Sequence, residues 1–424
     1  MRILTADHVL PITSDPIVNG AVMIDGRTIA AVGGREDLVS AHPDVEIVEC
    51  AEAAILPGFV NCHSHLELTA MRNALDDVEH DFAAWLLKLN GLRAAMSDED
   101  IKAAAVLGAR EGAAAGVTCF ADIGRMGFAG LHALKEVGLR GVVYQETEFC
   151  PDDGTSEEHF PKLVGKFNEL REGESDLVRV GISPHSPYTV SSRMFEMIAQ
   201  LGIIDRVPIH IHVAESASEH ELLTQGTGFF IDIYEKYGVE WHSPRSTPIE
   251  YLERLGVLAA RPLLAHCVTV SDADIDRIER NGATVAHCPK SNAKFGHGSA
   301  PFERLLDRGI AVGLGSDSVS SNNVCDILEE GRFASLIARN REGRRRFITA
   351  SEVLETATIG GARALGMTDV IGSLEPGKQA DITVISLDNT AQQPTADIHA
   401  ALVFTSNARD VRMTLVAGNV VYEA

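Results

Sequence analysis

Ile55-Leu56-Pro57-Gly58-Phe59-Val60-Asn61-Cys62-His63-Ser64-His65 is an apolar run that stops at two histidines. Its composition, bounded by turn residues, reads as a buried strand. Seven runs of the same kind follow: Val117–Gly124, Arg140–Phe149, Val178–Pro187, Pro208–Ser216, Pro262–Val270, Thr284–Asn292 and Ala311–Ser318. Helical stretches lie between them, such as Asp98–Ala115 and Ser191–Leu201. Ser97 before Asp98-Glu99-Asp100 is a capping residue followed by an acidic first turn. Strands alternating with helices predict a parallel sheet of the α/β class, and eight such units predict a (β/α)8 TIM barrel with insertions. A doubly wound open sheet is the alternative. Polarity favours the barrel: His65, His185, Glu215, His266, Asn292 and Asp317 all fall at or just past the C-terminal ends of their runs, where barrels of this kind carry their sites.

Outside the barrel the pattern changes. Residues 1–54 hold short β-like pieces, Ala21–Ile24 and Ile29–Val32, with turns at Asp25-Gly26 and Gly33-Gly34. Near the other end, Ile382–Leu387 follows a loop, and Met413–Val416 pairs with Val420–Tyr422 across Ala417-Gly418-Asn419 as a hairpin signal. Residues 1–54 and 368–424 are therefore expected to form one small composite β-sandwich domain built from both termini, around a barrel of residues 55–367.

The 424 residues are 45% hydrophobic and 23% charged, the balance of a globular protein. No stretch approaches the roughly 18 apolar residues of a membrane span, and Met1-Arg2-Ile3-Leu4-Thr5-Ala6-Asp7 lacks a signal-peptide core, so a cytoplasmic location is expected. A net charge of −23 argues against nucleic acid or an anionic membrane as partner and leaves a small molecule. Seven scattered cysteines without a C-x-x-C pair read as buried free thiols. Arg344-Arg345-Arg346 reads as a solvated helix face.

The chemistry is carried by residues far apart in the chain. His63 and His65 alternate on a strand and project from one side, so both can bind one ion. In Pro208-Ile209-His210-Ile211-His212 the two histidines also share a face; His212 is nearer the strand end and precedes Glu215 by three residues, so the ligand is placed there and His210 deeper in the barrel. Asp317, in Gly315-Ser316-Asp317, is the carboxylate placed to complete the set; a helix N-cap is its ordinary alternative. His63, His65, His212 and Asp317 leave a position open for water, the mark of a catalytic metal site. Zn2+ is the default ion, with Fe2+ and Mn2+ tolerating the same ligands.

Glu215 stands where it can protonate a substrate ring nitrogen and then pass a proton to a leaving amine. His266 suits a hydrogen bond to the attacking water, and Asp317 can take that water's proton through its free oxygen. His185, between Pro184 and Pro187, is a substrate contact or a packed loop histidine. Asn292 fixes loop shape or touches substrate. Trp85 roofs the pocket or fills a helix core. Glu67 contacts substrate or is structural. Arg125 and Arg140 are weighed as partners for an acidic substrate group, with solvated arginines as the plain reading.

Pro57-Gly58-Phe59-Val60-Asn61-Cys62-His63-Ser64-His65, His212-x-x-Glu215, His266-Cys267, His287-Cys288-Pro289-x-Ser291-Asn292 and Gly315-Ser316-Asp317 resemble the amidohydrolase superfamily. The similarity is greatest to the branch of cytosine, guanine, S-adenosylhomocysteine and aminofutalosine deaminases and triazine hydrolases, and Gly372-Ser373-Leu374-Glu375-Pro376-Gly377-Lys378-Gln379-Ala380-Asp381 matches that branch's return to its β-sandwich. The resemblance implies the same ligands (His63, His65, His212, Asp317), Glu215 as proton shuttle and His266 as assistant to the water. It implies a hydrolase acting on non-peptide carbon–nitrogen bonds that deaminates an aminated heterocycle and releases ammonia. Leu66-Glu67-Leu68 after the histidine pair departs from many relatives and is similar to aminofutalosine-deaminase-like members, which points to an adenine-type nucleoside: 6-aminodeoxyfutalosine, S-adenosylhomocysteine or methylthioadenosine. Hydrolysis of a triazine C–Cl or C–N bond, or of a cyclic amide, on the same mononuclear site is the alternative. A homodimer is the assembly common among such relatives.

Overall fold

Gly58 divides the first apolar run between two sheets. The computed structural model describes residues 1–343 and 345–424. Its strands are β1 (Arg2–Val9), β2 (Ile17–Asp25), β3 (Thr28–Gly34), β4 (Glu46–Pro57), β5 (Phe59–Ser64), β6 (Val117–Gly124), β7 (Arg140–Glu146), β8 (Val178–Ser183), β9 (His210–Val213), β10 (Leu263–His266), β11 (Thr284–His287), β12 (Val312–Leu314), β13 (Ile382–Ser386), β14 (Val411–Val416) and β15 (Asn419–Glu423). The Gly58 amide donates to Asp381 O and the next amide, Phe59, to Gly116 O, so the chain changes neighbours within one residue. A Cβ at Gly58 would lie 2.1 Å from Thr118 Cγ2, which leaves glycine as the residue that fits. The expected single strand Ile55–His65 is thus two, and the terminal sheet takes the chain through Pro57.

β5 to β8 form one parallel four-stranded arc and β9 to β12 another, each in sequence order. Parallel bridges join the arcs at both edges, Ser64 to Asp317 and Ile182 to Ile209, so the eight strands close into a ring. Every expected run of the barrel corresponds to one of these strands, and most runs overshoot. β7 ends at Glu146 rather than Phe149, β11 at His287 rather than Asn292, and β12 at Leu314 rather than Ser318. The excess is the rim that carries the functional side chains. Asn292 lies on a short helix, Pro289–Lys294, opened by the proline.

The termini build one hydrogen-bonded seven-stranded sheet in the order β15-β14-β13-β4-β1-β2-β3. The expected hairpin joins β14 to β15 through Ala417 (φ 47°) and Gly418 (φ 76°), two left-handed residues as a tight primed turn requires. Arg140, at the start of β7, is buried against Asp381 at 2.8 and 3.0 Å, and Asp381 also accepts from the Ala417 amide. It ties the ring to the terminal sheet at the end remote from the rim, which removes it as a substrate contact.

All seven cysteines are free and buried. Arg344 lies outside the described residues. Arg345 and Arg346 follow the helix Ile327–Glu342 rather than continuing it, and Arg346 bonds Asp307 and Glu352 instead of presenting a solvated helix face. Among the described residues no helix is long and apolar enough to cross a membrane.

Candidate active site

Four of the strand ends deliver imidazoles or a carboxylate to one point. His63 lies in β5 and His65 just after it; His212 lies in β9, His266 ends β10 and Asp317 follows β12. The delivery needs unusual backbone: Ala214, His266, Cys267 and Asp317 all have positive φ, between 49° and 71°. Such conformations cost of order 1–3 kcal/mol each and persist where surrounding bonds impose them. Here Asp317 N donates to His63 O at 2.9 Å, and the Glu219 carboxylate accepts from both Ala214 N (3.0 Å) and Glu215 N (2.8 Å). Gly315 permits the contact between the first and last strands, since a Cβ there would stand 2.6 Å from His63 Cβ.

Each imidazole is oriented through its outer nitrogen. His65 Nδ1 donates to Ile123 O at 3.1 Å and His212 Nδ1 to His185 O at 3.0 Å; His63 Nδ1 meets His210 Nε2 at 3.2 Å. With their Nδ1 protons committed, His65 and His212 present two Nε2 lone pairs 3.1 Å apart. Two lone pairs hold that spacing favourably only around a shared cation or proton. His63 Nε2 is buried with no hydrogen-bond partner among the described residues and stands 3.5 Å from Asp317 Oδ1, as does His65 Nε2. Ligand atoms of His63, His65 and His212 lie within 4.8 Å of one another, and so do those of His63, His266 and Asp317. Burial pushes His63 and His65 down to about 3, so both are neutral at ordinary pH with lone pairs free. Burial alone would raise the Asp317 carboxyl, but the surrounding His63, His266 and His65 hold it well below the usual range. The donor set fits a divalent metal ion.

The remaining groups surround this point. His266 Nδ1 donates to Asn292 Oδ1 at 2.9 Å, leaving the Nε2 lone pair buried and unpartnered. Asp317 keeps no idle oxygen: Oδ2 accepts from Ser291 (2.6 Å) and Ser321 (3.0 Å), Oδ1 from the Ser318 amide (2.7 Å). Glu215 Oε2 accepts from Tyr188 at 3.4 Å, while His266 and His297 Nε2 each stand 3.8 Å from Oε1. Burial raises the Glu215 carboxyl above its ordinary value, against the opposing pull of His297 and His212.

A cavity of about 690 Å3 opens over this floor. Trp85 lines it and also packs parallel to Phe82 at 6.2 Å and edge-on to Phe295 at 5.0 Å, so it is at once cavity wall and core. His185 lines it, its Nδ1 against Ser186 and Thr189 at 2.9 and 2.8 Å. Arg125 lines it too, beside Glu146. Two expected contacts are elsewhere. Glu67 is buried, accepts from the Arg125 and Met126 amides at 3.2 and 2.8 Å and does not line the cavity: it holds the start of the helix Gly127–Val137. Asn292 reaches His266 rather than the cavity. Sequence reasoning passed over Glu146, Tyr188 and His297. Glu146 had a signal, an acidic residue closing a strand, but extending that strand to Phe149 hid it.

Comparison with known proteins agrees with this geometry. The amidohydrolase family profile matches residues 54–421, and the chain belongs to that family. A 5-methylthioadenosine/S-adenosylhomocysteine deaminase of Desulfitobacterium hafniense is 33% identical over 425 residues, covering 100% of this chain and 93% of the relative. One of Nitratidesulfovibrio vulgaris is 31% identical over 411 residues, 96% of this chain and 88% of the relative. The zinc-bound crystal structure of an adenosine deaminase from Xanthomonas campestris superposes with a TM-score of 0.85 at 27% identity, covering 99% of this chain and 92% of that one.

Proposed function

We propose that this chain is a metal-dependent deaminase of adenine-type nucleosides, converting the amino-bearing ring carbon to a carbonyl and releasing ammonia. It is a hydrolase of carbon–nitrogen bonds. The observation that carries the reading is Glu215: a buried carboxyl held above its ordinary pKa, opposite a nest of neutral imidazoles, in a cavity large enough for a nucleoside. Deaminase relatives matched over nearly the whole chain support it.

His63, His65, His212 and Asp317 would hold the ion, which we assign as Zn2+, with Fe2+ or Mn2+ compatible with the same donors. Such an ion supplies a Lewis acid that brings the pKa of water towards ~7. Water adds to the amino-bearing carbon. Its first proton goes to the buried Nε2 lone pair of His266, which faces the same volume as the Asp317 carboxylate. Glu215 gives its proton to the adjacent ring nitrogen, so that charge does not build on the ring. Glu215 takes the remaining hydroxyl proton of the adduct as the carbonyl forms and passes it to the amine, the carbon–nitrogen bond breaks and ammonia leaves. The proton held at His266 then restores Glu215. His185 and Trp85 border the bound ring, and Trp85 offers it a face for stacking. The reaction needs no macromolecular partner; we place it in the cytoplasm, with a homodimer as the expected assembly.

The triazine reading rests on the crystal structure of a triazine hydrolase variant at 26% identity and TM-score 0.83. A proton donor beside a ring nitrogen serves either substrate, but the relatives at 31% and 33% identity described above are nucleoside deaminases. The test is ammonia release by metal-loaded protein over adenosine, methylthioadenosine, S-adenosylhomocysteine, 6-aminodeoxyfutalosine, guanine, cytosine and an aminotriazine. Turnover of an adenine nucleoside is expected. Silence on all of them, with one metal bound per chain, overturns the reading.

A further inference from the structure

We infer that Glu146 is the sugar-binding residue of this cavity and that it fits the site to nucleosides whose 5′ substituent is uncharged; the inference rests on the deaminase reading above. Glu146 ends β7, is buried and lines the cavity. No donor lies within hydrogen-bond distance of its carboxylate among the described residues. Its nearest partners are Arg125 Nε and His185 Nε2, each 3.6 Å away on a different oxygen. Of the other buried carboxylates, Asp317 is held by serines and an amide, Glu219 and Glu67 by two amides each, and Glu215 by the Tyr188 hydroxyl. A buried carboxylate without hydrogen bonds is costly unless a ligand supplies them.

The position says which donors. Ligand atoms of Glu146, His185 and His212 lie within 4.8 Å of one another, so Glu146 borders the metal corner on its His185 side, and Glu215 lines the same cavity. A purine with its amino carbon over the histidines directs its sugar away from them, and two vicinal hydroxyls match the two free carboxylate oxygens as a bidentate pair. Arg125 Nε, itself buried without a hydrogen bond among the described residues, stands 3.6 Å from Glu146 and does not consume its lone pairs.

The same pairing decides the charge of the tail. Apart from imidazoles, the cationic groups lining the cavity are Arg93 and Arg125. Arg125 faces Glu146, and Arg93 faces Glu67 at 3.4 Å and Asn90 at 2.7 Å. Each therefore already faces a carboxylate of the protein, and neither brings an uncompensated positive charge to a substrate carboxylate. The outer wall is Leu86, Phe149, Phe229, Phe230, Ile233 and Tyr237, an apolar surface suited to an alkylthio group. A free amino-acid tail would lose its hydration there and gain no partner.

The test is steady-state deamination by the metal-loaded protein of methylthioadenosine, its 2′-deoxy and 3′-deoxy analogues, and S-adenosylhomocysteine. Removing either hydroxyl is expected to lower kcat/KM about 10- to 100-fold, since the loss leaves a charged acceptor unpaired. S-adenosylhomocysteine is expected to be at least about 10-fold poorer than methylthioadenosine. Glu146→Gln should raise KM for the ribonucleoside with kcat little changed and compress the ribo-to-deoxy ratio towards one. Equal turnover of ribo and deoxy substrates, or a preference for the amino-acid tail, overturns the inference and leaves the deaminase reading intact. Failure to turn over any nucleoside overturns both. The substrate series on the unmutated protein decides the matter even where the variant does not fold.

Discussion

The two ends of the cavity are built differently. At the metal corner every imidazole has its outer nitrogen assigned, Asp317 accepts three hydrogen bonds, and four residues hold left-handed backbone. At the outer wall the side chains are aromatic and aliphatic and packed on one another, and between the two ends Glu146 has no hydrogen-bond donor among the described residues. The difference separates chemistry from selectivity. Geometry for bond-breaking is fixed in advance by backbone and buried hydrogen bonds, where reorganisation would cost rate. Substrate choice is left to side chains on the insertion helices, where packing can vary without disturbing the floor.

This contrast can be broken from its strongest point outward. Asp317→Ala or His65→Ala should abolish both bound metal and turnover, a loss of at least about 10⁴-fold; full metal content by elemental analysis would contradict the ligand assignment. Glu215→Gln should keep the metal and lower kcat by about 10²- to 10⁴-fold, and loss of metal along with activity would mean that Glu215 is a ligand instead. Asn292→Ala touches no reacting atom in this arrangement, yet it frees His266 to rotate. Its expected cost is about 10-fold or more in kcat, with unchanged KM, normal metal content and recovery in Asn292→Asp. At the outer wall, Trp85→Phe should raise KM by about 3- to 10-fold and leave kcat nearly alone. A larger fall in kcat than in affinity would show that the roof shapes the floor after all.

Much of the metal corner was readable because imidazole and carboxylate ligands interrupt apolar runs, and the interruption falls at one end of each run. His63 and His65 declared a shared face by spacing alone. His212 was separable from His210 by its distance from the strand end, and the structure shows why both are needed: one faces the corner while the other holds His63 from behind. Other assignments failed for local reasons. Glu67 sits beside two histidines in sequence, but the turn after His65 sends it under the helix Gly127–Val137, where free amides claim it. Arg140 is near the rim in number only, since it opens its strand rather than ending it. Asp317 was expected to have a free oxygen, and nothing in Gly315-Ser316-Asp317 could reveal the hydroxyls of Ser291 and Ser321 that fill it.

Alternation of buried strands with helices, and the placing of ionisable residues at the strand ends, determined from the sequence alone a parallel α/β ring with a metal-binding rim. Periodicity and polarity are local properties, and a chain displays them before it folds. The tertiary structure decided which nitrogen of each histidine is free, which carboxylates are spent on backbone amides and which one, Glu146, still lacks donors. Those outcomes depend on groups distant in sequence meeting inside a low-dielectric interior, where each hydrogen bond made or missing sets the charge and orientation of its neighbour.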